Sequence, residues 1–260
     1  MAIRKVLLPL ISSGAGEAAL STAWTVAQRW NAHMLALHVQ LDPAPAPEVT
    51  AMFRRFTLDH KVRVAEPAAG AESATASFLT LIGRRLDILP QQARLADLTV
   101  VRHPATPEEV SSSAVLHAVL FDPGRPLLIA PQVVPTTVGR RICLGWNGSA
   151  ESAAAVEAAM PWLQRADAVR ILWAEAYQRR GPQARELQTY LANHGVAADL
   201  MMFKPIDSTV GAGLLAAAEA FNCDLLAMGA YAHSRLRQQI LGGVTRHILE
   251  HATLPVMMHR

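Results

Sequence analysis

The chain has 260 residues, of which 51% are hydrophobic and 17% charged. This length and composition can support one large domain or two ordinary domains with substantial cores. The formal net charge is only +3 and there is no dense block of Lys and Arg, which argues against nucleic-acid binding.

No apolar run approaches the roughly 18 residues of a membrane-spanning helix, and Pro9, Ser12 and Ser13 interrupt the first apolar run. We therefore expect neither a membrane segment nor a signal peptide. Cys143 and Cys223 lie in or beside predicted buried strands, the usual place for reduced cytosolic cysteines. A cytoplasmic protein without a structural disulfide is predicted.

The first half alternates short apolar runs with segments of helical periodicity, which predicts strands and helices in alternation. The predicted strands are Arg4–Leu10, Met34–Val39, Phe78–Ile82, Ala96–Val101 and Arg125–Ala130, and the predicted helices include Glu17–Trp30 and Val110–Leu120.

The second half repeats this order. Its predicted strands are Arg140–Trp146, Val169–Ala174, Ala198–Phe203, Cys223–Met228 and Leu254–His259, and its helices include Glu151–Leu163 and Val244–His251. Another helix is predicted to end near Phe221, with Asp207 and Ser208 as its N-terminal cap.

An internal repeat is the strongest architectural signal. Both halves open with basic residues before an apolar strand, a small polar turn and an alanine-rich helix. Apolar strands alternating with helices are typical of parallel sheets covered on both faces. The segment Pro131–Gly139 lacks a helical period and predicts a linker. We therefore expect an α/β fold with two tandem doubly wound domains, residues 1–135 and 140–260.

The end of the chain carries the main functional signal. An apolar strand ends at Gly229, and a helical segment starts just after Gly242 and Gly243. The N-terminus of that helix faces the carboxyl end of the strand. Its unpaired N–H groups and positive dipole end favour an anion, and glycine lets a phosphate approach the main chain.

This segment resembles the universal stress protein family, whose nucleotide-binding members carry Gly, two residues, Gly, nine residues, Gly, and then Ser or Thr. Here Gly229, Ala232, Gly242 and Gly243 follow that spacing, but the second glycine is an alanine and the hydroxyl residue is a glycine. The resemblance implies sheets that are mostly parallel and five-stranded, like those of adenine nucleotide alpha hydrolases. It also implies that two such domains pack together, within a chain as a pseudo-dimer or between chains as a homo-oligomer.

The ligand implied by the resemblance is ATP or another adenine nucleotide such as AMP or ADP, with or without magnesium. The residues expected to bind it lie in the second half of the chain. They are Trp146, Asn147, Ser149, Trp173, Gly229, Ala232, His233, Arg235, Gly242, Gly243, Val244 and Thr245.

Several of these residues have two interpretations. Asn147 stands where the family has an Asp that contacts the nucleotide; it keeps an acceptor and loses the charge, or it simply forms a turn with Gly148. Trp146 walls an adenine pocket or fills the core. His233 and Arg235 donate hydrogen bonds to a phosphate, or they are solvated loop residues.

The first half lacks the features of this site. Arg102 stands at the position of Gly229, Ser113 and Ala114 stand at the glycine pair, and Ile11 occupies the place of the family Asp. We expect at most one nucleotide per chain, bound by the second half.

Other kinds of site have little support. The chain has no Walker A, HExxH or CxxC motif, so neither a metal site nor a catalytic residue is predicted. Gly14–Ala19 reads GxGxxA with Asp42 further on, but the matching segment Ala150–Ala155 has no glycine, which makes a dinucleotide site a weak alternative.

Three functional hypotheses follow. The first is a tandem universal stress protein that binds an adenine nucleotide in its second domain for regulation, with at most slow ATP hydrolysis. The second is a family member without nucleotide binding that acts as a dimeric interaction scaffold for an unknown protein partner. The third is an ATP-using enzyme of related fold, whose characteristic loops after the first strand are not found here.

Overall fold

The computed structural model describes residues 2–10, 16–44, 46–69, 71–104, 106, 114–174, 177, 181–230 and 243–260. The chain forms two compact units whose boundary lies between Thr136 and Thr137. The predicted linker, residues 131–139, contains no helix or strand.

The described part of the first unit has five parallel strands in the spatial order β3-β2-β1-β4-β5. The strands are β1 Lys5–Leu10, β2 His33–Gln40, β3 Thr75–Ile82, β4 Leu98–Arg102 and β5 Leu127–Ala130. The helices described between them are α1 Gly16–Trp30, α2 Pro47–Asp59, α3 Arg85–Ala93 and α4 Ala114–Phe121.

The second unit repeats this arrangement, with parallel strands in the order β10-β9-β6-β7-β8. Its strands are β6 Arg141–Gly145, β7 Ala168–Trp173, β8 Ala198–Met202, β9 Leu225–Gly229 and β10 Val256–His259. The helices described are α5 Ala150–Leu163, α6 Ala184–Asn193, α7 Val210–Ala220 and α8 Gly243–His251.

Helices cover both faces of the second sheet. A Cβ on Gly145 would contact Leu214 of α7 at 3.4 Å, whereas a Cβ on Gly229 would meet the backbone of Glu151 in α5. Gly145 is in register with Met228, and neighbouring strand residues face opposite sides of a sheet. Helices α5 and α7 therefore lie on opposite faces, and the predicted doubly wound α/β fold is confirmed.

One predicted cap is wrong. Helix α7 begins at Val210 after Thr209, not after Asp207 and Ser208. Those two residues have positive φ values of 48° and 61°, and Ile206 and Thr209 exchange backbone hydrogen bonds across them. Asp207 and Ser208 thus form a tight turn, because Asp tolerates the left-handed conformation better than most residues.

The predicted helix Val110–Leu120 is described only from Ala114, where α4 begins; residues 107–113 lie outside the described part of the chain. Within the described ranges, no helix is long and apolar enough to cross a membrane.

Candidate functional site

The first and fourth strands of the second unit, β6 and β9, mark its topological switch point. Strand β6 lies between β7 and β9, and the chain runs from β6 through β7 and β8 in one direction before it returns to β9 on the other side. In open α/β sheets such a point leaves a crevice at the carboxyl ends of the strands. Trp146–Ser149 follow β6 there, and Gly229 ends β9.

The turn after β6 is held by its own side chains. The Asn147 side-chain oxygen accepts a hydrogen bond from the Ser149 N–H at 3.1 Å, and Gly148 between them has a φ of +77°. Ser149 caps α5, because its hydroxyl oxygen accepts from the Ser152 N–H at 3.1 Å. Asn147 and Ser149 therefore shape the turn, as one of the two interpretations of Asn147 predicts.

Trp146 packs in the core and holds a neighbouring loop. Its exposed fraction is 6%, and its indole N–H donates to the Pro182 carbonyl at 3.1 Å. Next to Pro182, Gly181 lies so close to the Gly148 carbonyl oxygen that a Cβ at Gly181 would overlap it. Residues 181 and 182 thus cover the turn after β6. This contact was not predicted; its only signal in the sequence is the Gly181-Pro182 pair.

Trp173 ends β7, the strand beside β6. The residue is half-buried, and its carbonyl accepts from the Phe203 N–H at 2.9 Å. Trp173 is therefore partly exposed one strand away from the switch point.

Gly229 has a packing role that the sequence analysis did not assign. A Cβ there would stand 2.5 Å from both the Glu151 carbonyl carbon and the Ser152 nitrogen. Real Cβ atoms do not approach backbone atoms so closely, so only glycine lets the first turn of α5 lie against β9. The absence of a side chain at Gly229 therefore allows α5 to pack against β9.

The N-terminus of α8 has more room. A Cβ on Gly243 would meet no atom of the described residues within 4 Å, and Gly243 is exposed. Val244 is half-buried and Thr245 is 5% exposed. Ala232, His233, Arg235 and Gly242, which the sequence analysis also assigned to the site, lie outside the described residues.

The second half of α8 and the turn before it carry charged and titratable side chains. The His247 and His251 rings stack with centroids 4.2 Å apart, and Arg246 forms an ion pair with Glu250 at 2.7 Å. Burial and the neighbouring His251 lower the pKa of His247, while Glu250 opposes them. Among the residues described, no group of three or more His, Cys, Asp or Glu side chains could hold a metal ion.

At the corresponding end of the first sheet, side chains of the first unit contact the ends of its strands. His38 is 4% exposed, and one ring nitrogen contacts the carbonyl of Leu10, the last residue of β1, at 2.8 Å. The other ring nitrogen lies 3.1 Å from the Gln40 side-chain oxygen. At the end of β4, the Arg102 guanidinium donates to the His103 carbonyl at 3.4 Å.

Comparisons with known proteins agree with this fold. Residues 139–260 match the model of the universal stress protein family, so the resemblance is confirmed over the second half of the chain. A universal stress protein from Archaeoglobus fulgidus has a TM-score of 0.69 and 15% identity, covering 98% of this chain and 96% of its own. No curated protein matches the sequence.

Two further solved structures share the fold over nearly the whole chain. A functionally unknown protein from Pseudomonas aeruginosa has a TM-score of 0.64 and 16% identity. The match covers 99% of this chain and 92% of that protein's chain. The cytoplasmic domain of a prokaryotic cation chloride cotransporter has a TM-score of 0.51 and 10% identity. The match covers 98% of this chain and 95% of that domain's chain.

Proposed function

We propose that the second unit, whose residues 139–260 match the model of the universal stress protein family, is a regulatory domain that binds one adenine nucleotide. The nucleotide lies at the switch point between β6 and β9, with its phosphates at the N-terminus of α8. The observation that carries this proposal is the open, glycine-bounded start of α8, whose N–H groups and dipole favour an anion.

The base and ribose have a candidate surface on the other side of the switch point. The half-buried Trp173 offers an aromatic face, and aromatic rings stack well on bases. Asn147 holds the turn through its side-chain oxygen, which leaves its amide N–H₂ group to donate to a ribose hydroxyl or a base acceptor.

The chemistry proposed is binding without efficient hydrolysis. Asn147 stands where the family has a carboxylate, and no described cluster of side chains could hold a metal. Magnesium, where present, therefore reaches the site on the phosphates. Rapid phosphoryl transfer needs a positioned metal and groups that orient the nucleophile, so any ATP hydrolysis by this unit is slow.

One substitution tests the position of the phosphates. Gly243→Asp adds a carboxylate at the start of α8, where negative charge favours the helix but repels a phosphate. We expect calorimetric titration with ATP, ADP and AMP, with and without magnesium, to give one site per chain in the wild type. The Asp variant should bind about tenfold more weakly or not at all.

Gly243→Asn is the matched control, because Asn has nearly the same shape without the charge. It should keep most of the affinity, since a Cβ at this position meets no described atom. Equal binding by the wild type and Gly243→Asp would place the phosphates elsewhere.

A second candidate function is an interaction scaffold that binds no nucleotide and assembles with a second copy or another protein. Two observations favour it. The Asn147 and Ser149 side chains already make hydrogen bonds within the turn, and the Trp146 side chain is buried in the core. Absence of binding at millimolar nucleotide would support it. Restoring the family pattern with Ala232→Gly and Gly243→Ser should tighten ATP binding if the site is only weakened, and should change nothing if the unit is a scaffold.

A further inference from the structure

Strand β3 forms one edge of the first unit's sheet, because β2 is its only neighbour among the described strands. Its first half is covered on the outer side. Ala76 donates its N–H to the Arg63 carbonyl and accepts from the Ala65 N–H, both at 3.0 Å, so residues 63–65 lie parallel beside it. Among the described residues, no backbone segment pairs with the outer side of β3 beyond Ala76.

The backbone groups of β3 alternate in direction. The Thr75 N–H donates to the carbonyl of Ala32, just before β2, and the Gly83 N–H donates to the carbonyl of Gln40 at the end of β2. Odd-numbered residues from 75 to 83 therefore pair with β2, whereas even-numbered residues turn their N–H and C=O groups outward. The outward-facing residues in the uncovered half of β3 are Phe78, Thr80 and Ile82.

The uncovered half lacks the features that keep edge strands from pairing with other chains. Residues 75–82 contain no proline and no charged side chain, and their register with β2 is unbroken by a bulge. Leu79 is 40% exposed and Ile82 is 60% exposed, so apolar surface accompanies the unpaired backbone. Such an edge is a template for one more strand.

The limits of the uncovered stretch match the strand of a second copy of the chain. The segment 63–65 closes the stretch at one end. At the other end, Gly83 has a φ of +147° and leaves the strand direction, a conformation that glycine adopts readily. The stretch therefore admits a strand no longer than itself, and Phe78–Ile82 of a second copy has that length.

An antiparallel arrangement with a two-fold axis at Thr80 pairs every outward-facing group. Thr80 lies opposite Thr80 of the second copy and Phe78 lies opposite Ile82, so each pair exchanges two backbone hydrogen bonds. The side-chain pairs are also favourable, because Thr beside Thr and an aromatic ring beside a β-branched side chain stabilise antiparallel strands. No like charges oppose each other, since the stretch has none.

We propose that the chain forms a homodimer in which the Phe78–Ile82 segments of two copies pair antiparallel and join their first-unit sheets. Strands this short bury less than the roughly 1,200 Å² of a stable complex, so the dimer is weak and depends on concentration. It involves the first unit and does not depend on nucleotide binding by the second.

Sedimentation equilibrium of the full chain without nucleotide, from micromolar to millimolar concentration, tests the proposal. We expect the average mass to rise from that of a monomer towards that of a dimer as the concentration increases. A wild type that stays monomeric at millimolar concentration would overturn the proposal and leave the β3 edge to a strand of another protein.

Substitutions at Thr80 show whether β3 forms the contact. Thr80→Pro removes the central outward N–H and spares the ladder to β2, because proline is tolerated on an edge strand where its nitrogen faces outward. It should weaken association at least about tenfold. Thr80→Val keeps the N–H and the branched shape, and as the matched control should dimerise like the wild type. Thr80→Lys, which opposes two like charges, should also weaken the dimer and serves if the proline variant does not fold. Equal association of all these proteins would place the contact elsewhere and overturn the proposal.

Thr80→Cys tests the register. The two introduced sulfurs face each other across the two-fold axis, where a hydrogen-bonded pair has a Cα separation of about 5.5 Å that a disulfide can span. Mild oxidation should link this variant into a dimer more readily than the wild type or Thr189→Cys, which replaces an exposed threonine of α6. Equal cross-linking of Thr80→Cys and Thr189→Cys would contradict pairing at β3.

Discussion

Gly229 and Gly243 stand at the two ends of the connection from β9 to α8, in opposite steric surroundings. Gly229 lies against the backbone of Glu151 and Ser152 with no room for a Cβ. Gly243 is exposed, and a Cβ there would meet no described atom within 4 Å. Glycine is thus a packing requirement at the end of β9, whereas the start of α8 accepts a side chain.

The two positions should respond differently to the same substitution. We expect Gly229→Ala to lower the free energy of unfolding by about 1–3 kcal/mol, because α5 must move away from β9. Gly243→Ala should be neutral or stabilising by up to about 1 kcal/mol, since alanine is the better helix former. Urea unfolding followed by circular dichroism measures both. Equal losses of stability would mean that the contact of α5 with Gly229 is not close.

At the scale of secondary structure, the two helices α5 and α7 begin in different ways. Ser149 caps α5 by accepting a hydrogen bond from the Ser152 N–H. Thr209 occupies the same position before α7 but makes no side-chain cap hydrogen bond. The cap of α5 also sets the turn after β6, because Ser149 donates its own N–H to Asn147.

Removing the cap should destabilise the second unit. Ser149→Ala is expected to cost about 1 kcal/mol of unfolding free energy, the usual value for a lost N-cap. Thr209→Ala is the matched control and should cost clearly less, because no cap hydrogen bond is lost. Chemical denaturation of the two variants side by side measures this, and an equal cost for both would show that the Ser149 hydroxyl does not support α5.

The sequence predicted most elements to within a few residues, because buried parallel strands are apolar runs and their covering helices have a clear period. The prediction was wrong where the same short polar segment can either cap a helix or form a turn. Asp207 and Ser208 are good capping residues, yet they form a turn with positive φ values and Thr209 precedes the helix.

The candidate site was harder to predict than the fold. Its residue types and their place at the carboxyl ends of strands followed from motif and topology. The packing of Gly229 on α5 and the hydrogen bond from Trp146 to Pro182 are tertiary contacts between distant segments. No local pattern in the sequence indicates these two contacts.

At the scale of the whole molecule, both units bury or partly bury histidines, and this burial lowers the pKa of each. In the first unit, burial lowers the pKa of His33, which Lys5 lowers further and Glu66 opposes. The His33 ring nitrogens lie 2.9 Å from the hydroxyl oxygens of Thr75 and Ser77. Burial lowers the pKa of His117 in α4. In the second unit, burial and the neighbouring His251 lower the pKa of His247.

These shifts predict the acid response of the chain. A histidine whose pKa is lower in the folded than in the unfolded state binds fewer protons when folded. Its contribution to stability is therefore present above the unfolded pKa of about 6.5 and is lost as the pH falls through the folded value. We expect the urea midpoint to fall between about pH 7.5 and about pH 5, with the unfolding of the first unit the more sensitive because it holds two such histidines. His33→Gln with His117→Gln should flatten this dependence, even if the variant is less stable at neutral pH. An equally steep fall in the double variant would assign the acid response to other groups, since the test compares slopes and not absolute stabilities.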